Sequence, residues 1–264
     1  MISSISKPLM ATLKELMQIE SLDSFYLGGG TNLALKYNHR ISLDIDLFSK
    51  TIVGSEHIEA IRKDILLKYP ESKILSKNRE SDSLSFLTGV LVNDGYRVKI
   101  DVIQNLKLLK EHTIADDIRL IDDFDVASLK LDSMANRGSR KDLYDLVLLT
   151  NHYKLSDIFD LFTERKIHFN RKTDKNIFNE TGFDRADGLL NDLGPLVNFN
   201  NTKDLSVENN KVMLTSKSPF ALDSFIDICG LWKSRVVELS RIKNIKLTPQ
   251  KSIPARRRKK GLGL

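Results

Sequence analysis

The chain has 264 residues, 41% of them hydrophobic and 29% charged, with a net charge of +6. That length holds one large domain or two modest ones with packed cores. The longest stretch without a charged residue, Ser24 to Leu35, is 12 residues, against the roughly 20 that a spanning helix needs, so no membrane protein is expected.

The start MISSISKPLM has no basic opening before an apolar run, and no signal peptide is expected. The single cysteine, Cys229, excludes an internal disulfide or a cysteine-based zinc site and points to a reducing, cytoplasmic setting. Five of the positive charges sit in Arg256 to Lys260, leaving +1 for residues 1–255. The body is nearly neutral, and the basicity belongs to a tail. That tail reads as a solvated, disordered segment or as a phosphate-attracting arm for RNA or membrane lipid.

In chain order, residues 5–20 carry Ile5, Leu9, Leu13, Leu16 and Met17 at helical spacing. The short apolar run Phe25-Tyr26-Leu27 follows, then Gly28-Gly29-Gly30 and a helical stretch from Asn32 to Tyr37: strand, glycine turn, helix. Residues 43–48 alternate with period two and predict a strand, and 55–69 predict a helix. Strands are expected at about 83–92 and 96–103, joined by the hairpin signal Asn93-Asp94-Gly95. Segments 125–136, 139–152, 156–167 and 219–244 have helical periodicity. The polar stretch 168–217 predicts a long loop. The expected division is a mixed α/β part, 1–115, a mostly helical part, 116–250, and the tail, 251–264.

Asp44 and Asp46 are two apart in a strand and project to one face, with Ile45 and Leu47 on the other. Paired carboxylates repel unless a cation lies between them or one takes a proton, and oxygen-only ligands suit Mg²⁺ or Mn²⁺. A bare Asp-x-Asp is most often an exposed pair that binds nothing. Three features favour a site. Glycines opening a helix leave N–H groups free for phosphate. The acids follow the turn closely. Asp101 interrupts an otherwise apolar strand and becomes a third carboxylate if that strand pairs near 43–48. The alternative for Asp101 is an ion pair with Arg97 or Lys99. Further on, Lys130, Met134, Arg137 and Lys141 share one helix face if the helix continues through Gly138, a stripe suited to a triphosphate. Asp142 and Asp145 could orient those cations or act as a base. The five histidines show no metal spacing. Phe225, Ile228, Trp232 and Val236 read as a core stripe.

The segment 25–49, FYLGGGTNLALKYNHRISLDIDLFS, resembles the AbiEii nucleotidyltransferase toxins and their MenT relatives, within the polymerase-beta-like superfamily. Arg40, Ser42, Asp44, Asp46 and Leu47 fill the family pattern. A second block, 126–146, fits through Lys130, Arg137, Lys141, Asp142 and Asp145. The resemblance implies an α+β fold, a nucleotidyltransferase-type mixed sheet with flanking helices followed by a mostly helical C-terminal domain. It implies an NTP-dependent transferase, with Asp44, Asp46 and Asp101 as ligands of Mg²⁺ (or Mn²⁺) and as catalytic groups together with Lys130 and Asp142. Gly29, Gly30, Thr31, Arg40, Ser42, Lys130 and Arg137 would hold the NTP. The implied acceptor is the 3′ end of tRNA, and the implied partner a DNA-binding antitoxin, in phage defence or growth control. A small-molecule or protein acceptor, or a non-catalytic nucleotide-binding module, are the alternatives.

Overall fold

A computed structural model describes residues 4–77, 82–169, 187–198 and 211–248. The basic tail, and most of the segment expected to form a long loop, lie outside them. Among the described residues no helix is long and apolar enough to cross a membrane.

Helix α1 (Lys7–Leu16) starts where Ser6 accepts a hydrogen bond from Leu9 N and Pro8 occupies the first turn. Strand β1 (Tyr26–Leu27) runs into α2 (Gly29–Tyr37), which ends at Asn38 in the left-handed conformation. Strand β2 (Asp44–Phe48) and helix α3 (Ser55–Lys68) follow. Then come β3 (Lys73–Lys77), β4 (Phe86–Asn93) and β5 (Tyr96–Ile103). The predicted hairpin joins the last two, with Asp94 and Gly95 both at positive φ, as a type I′ turn requires. Strands β6 (Thr113–Ala115) and β7 (Ile118–Leu120) form a second hairpin over Asp116 and Asp117, also at positive φ. The sequence reading contained neither these two strands nor β3.

The seven strands form one mixed sheet in the order β3-β4-β5-β2-β1-β7-β6, with β2–β5 and β1–β7 parallel. One face is mostly apolar. Ile45, Leu47, Leu87, Leu91, Val98, Ile100 and Val102 pack there with Leu9, Leu13 and Leu16 of α1 and Ile58, Ile61 and Ile65 of α3. On the other face only the row Phe48, Ile103 and Phe86 joins the core of the helical part.

That part contains α4 (Asp123–Arg137), α5 (Arg140–His152), α6 (Leu155–His168) and α7 (Phe225–Lys243). Ile228, Trp232 and Val236 of α7 are buried as expected, and Trp232 Nε1 donates to Leu196 O at 2.8 Å. The continuous cationic stripe is corrected. Helix α4 ends at Gly138, at φ +60°, and Ser139 caps α5. Lys141 therefore stands on a different helix from Lys130 and Arg137, and Met134 is core.

Candidate active site

The β2–β5 pairing sets Asp44 beside Lys99 and Asp46 beside Asp101. Residues in register share a face, so the three acids and Lys99 lie on the face opposite the α1/α3 core. Burial, together with the charges of Asp101 and Asp44, pushes the Asp46 carboxyl up to about 6. Asp101 accepts from Thr88 Oγ1 at 2.6 Å and from Lys99 Nζ at 2.5 Å. The donor types fit a hard divalent cation. The closed three-carboxylate centre expected from the sequence is nevertheless not present: among the described residues no three acid, histidine or cysteine side chains are gathered around a common point. Asp101 is already engaged by Lys99, the ion pair that the sequence left open.

The N-terminus of α2 abuts this pair. Gly28 caps the helix with no side-chain cap bond, and the first-turn N–H groups of Gly29, Gly30 and Thr31 are of the kind a helix end offers to an anion. Gly29 is at φ +61°, and a Cβ there would collide with the Asp46 carboxylate. A Cβ at Gly30 would collide with the Arg40 guanidinium. Gly30→Ala is therefore expected to cost about 1–3 kcal/mol, read as a lowered thermal midpoint.

Behind the carboxylates lies a buried ionic network. Arg40 donates through Nε and Nη2 to both oxygens of Asp145, at 2.7 and 2.8 Å. Lys130 Nζ bridges Asp145 at 2.7 Å and Asp142 at 2.9 Å. Asp142 also accepts from Arg137 Nε and Ser139 Oγ, both at 2.7 Å. Burial alone would raise both carboxyls. For Asp142, Arg137 and Lys130 outweigh it; for Asp145, Arg40 and Lys130 do, and both acids are held below the usual range. Burial likewise opposes the charge on Lys130, but Asp145 and Asp142 hold it as an ammonium.

His39 Nε2 lies 2.8 Å from Asp145 Oδ1, and Nδ1 is buried without a hydrogen-bond partner. Burial lowers its pKa, with Arg40 and Lys130 adding to this and Asp145 opposing it. A proton on Nε2 is the tautomer that an ionised Asp145 accepts from. Because the folded chain resists a proton that the unfolded chain accepts, stability falls as pH drops below about 6.5, by up to ~1.4 kcal/mol per pH unit. Subtracting the melting profile of His39→Gln from that of the wild type should show this slope; parallel profiles would refute it.

Three expected nucleotide contacts are corrected. Thr31 is fully buried, and its hydroxyl donates to the Asp44 carbonyl and hydrogen-bonds the Ser42 hydroxyl at 2.8 Å. Ser42 is buried with it, and the Arg40 guanidinium faces Asp145. These side chains tie α2, β2 and α5 together and do not present themselves to a ligand. Asp142 likewise positions Lys130 and Arg137. Arg137, with 55% of its side chain exposed, keeps a surface open to solvent.

The sequence reading also missed a strap. Ile41 N donates to Met213 O at 2.8 Å, Arg40 bridges Leu214, and Thr215 Oγ1 bonds the Asn38 carbonyl. No periodicity marks 211–215, because this pairing depends on a contact some 170 residues away. A cavity of about 360 Å³ lined by Thr150, His152 and Arg235 shares no residue with the site.

A mixed sheet presenting an acid pair to a glycine-capped helix N-terminus is the frame of a nucleotidyltransferase. Within that class, the chain belongs to the nucleotidyl transferase AbiEii toxin family of type IV toxin–antitoxin systems, whose family model matches residues 11–198. It is 28% identical over 145 residues to an uncharacterised protein of Aquifex aeolicus, covering 55% of this chain and 66% of that one. Two solved structures share a weaker likeness. The MenT4 nucleotidyltransferase toxin of Mycobacterium tuberculosis is 11% identical at TM-score 0.39, covering 90% of this chain and 92% of that one. The Megavirus polyadenylate synthase is 14% identical at TM-score 0.36, covering 57% and 33% respectively.

Proposed function

We propose that the protein transfers an NMP from an NTP to an RNA 3′-hydroxyl, with the tRNA 3′ end as acceptor, and acts as the toxin restrained by a DNA-binding antitoxin. The observation that carries this reading is the seating of the α2 N-terminus against Asp46. It brings a phosphate-binding helix end and a cation-seeking acid pair to one place.

In this reading Asp44 and Asp46 would hold Mg²⁺ or Mn²⁺, with Asp101, paired with Lys99, on the strand beside them. The ion when bound supplies charge neutralisation at the phosphates. The first-turn amides of Gly29, Gly30 and Thr31 bind the phosphate chain, and Arg137 with Lys130 supplies positive charge beside it. The acceptor oxygen bonds to the α-phosphorus as the α–β bridging bond breaks. Pyrophosphate leaves with the electron pair, and the hydroxyl proton passes to Asp101.

The test is transfer of label from each α-³²P-NTP to total tRNA with Mg²⁺, comparing wild type with Asp46→Asn. Labelled tRNA with wild type alone is the expected result. Label on protein or a small molecule would replace the acceptor, and no label on any acceptor would overturn the reading.

A further inference from the structure

Beyond the acids, the same sheet face continues outward over β5, β4 and β3; past the row Phe48, Ile103 and Phe86, no helix among the described residues packs on it. The strand registers define its rows. Lys73, Val90, Lys99 and Asp44 line up across four strands, and Leu75, Thr88, Asp101 and Asp46 form the next row. Lys77 reaches over the Phe86 ring at 5.7 Å, and Arg97 stands beside Val92. The face is open to solvent. Leu75 is 61% exposed, the Lys99 side chain is 55% exposed, and Lys73, Lys77 and Arg97 are exposed. Over the outward positions of β3, β4 and β5, Asp101 is the sole acid, against four cations. Among the described residues no acid pairs with Lys73, Lys77 or Arg97.

Charge of one sign is costly to gather on a strand face unless an opposite charge comes to it. The arrangement is also directional. From Lys73 at the sheet edge to Asp44 is three strand spacings, about 14 Å, long enough for a few nucleotides. Leu75 and the half-buried Val90 lie between the cations, apolar surface where sugars and bases can rest.

We propose that this face is the track along which the acceptor strand's phosphodiester backbone lies, with its 3′ end delivered at Asp44 and Asp46. The proposal rests on the RNA-acceptor reading above and adds the surface that carries the acceptor. A polynucleotide fits better than an acidic protein segment because the row that carries Lys73 and Lys99, with Lys77 and Arg97 in the rows to either side, ends at Asp44, where a terminal hydroxyl would react.

The test is anisotropy of a fluorescein-labelled, unstructured RNA oligonucleotide with a free 3′-hydroxyl, titrated with full-length protein over a range of salt. The variant Lys73→Gln/Lys77→Gln/Arg97→Gln removes three cations outside the carboxylate site. Its control, Lys14→Gln/Lys63→Gln/Lys68→Gln, makes the same charge change on α1 and α3, which cover the opposite face. The sheet variant is expected to bind on the order of 100-fold more weakly at about 0.1 M salt, with the log–log salt slope reduced by about 2. The control should match the wild type. In the transfer assay the sheet variant should raise the KM for RNA and leave kcat unchanged.

Equal losses in both variants would show only net charge at work and overturn the track. So would an unchanged sheet variant, while wild-type labelling of tRNA would leave the RNA-acceptor reading standing. Wild type that neither binds nor labels RNA would remove both. Thermal melts of the three proteins separate lost binding from lost folding.

Discussion

Replacing Asp145 by Ala should cost about 3–5 kcal/mol, enough to unfold much of the protein at 37 °C given typical domain stabilities of ~5–15 kcal/mol. The reason is what remains behind. His39 and Arg40, from the segment before β2, and Lys130, from α4, all turn toward Asp145 and are buried with it. Without that carboxylate, Lys130 keeps only Asp142, which Arg137 also bonds, and the buried Arg40 guanidinium loses its ion pair. Denaturant unfolding of the variant checks this. Asp145→Glu, which keeps the charge, should recover part of the loss, and a variant as stable as the wild type would show the network to be incidental.

Asp46→Asn should behave in the opposite way. Transfer activity is expected to fall by about 10³-fold or more, since metal-assisted charge stabilisation is worth several kcal/mol. The thermal midpoint should not fall. Asn keeps the shape while removing a half-buried charge that Asp101 and Asp44 oppose. A site kept at the expense of stability is what a functional acid pair predicts. A variant that loses both activity and stability would mark Asp46 as a structural residue.

The residues that form the site were legible where local rules govern them. Period-two alternation over 43–48 placed Asp44 and Asp46 on one face. The turn chemistry of Asn93-Asp94-Gly95 fixed the β4–β5 hairpin and so placed Asp101 on the neighbouring strand. The failures share a different cause. Strands β6 and β7 are three residues each, too short for alternation to be seen. Strand β3 is an edge strand with a single fully buried side chain, Ile74, so its pattern is faint. The shared face of Lys130 and Lys141 was conditional on the helix continuing through Gly138, and a glycine at positive φ stops it there. The burial of Thr31, Ser42 and Arg40 could not be read locally either. Their partners, Asp44 and Asp145, come from other elements, and a motif records which residues recur without saying whether each touches the ligand or its neighbours.

The strap formed by Met213, Leu214 and Thr215 has a consequence for synthesis. It closes over His39, Arg40 and Ile41, the residues that lead into β2, yet it is made some 170 residues later. A ribosome adding roughly 5–20 residues per second needs on the order of ten seconds or more to cover that distance. The strand bearing Asp44 and Asp46 is thus translated early and clamped late. A nascent chain carries every acid of its site well before it carries the segment that holds them, a delay during which a partner can meet the chain before its site is complete.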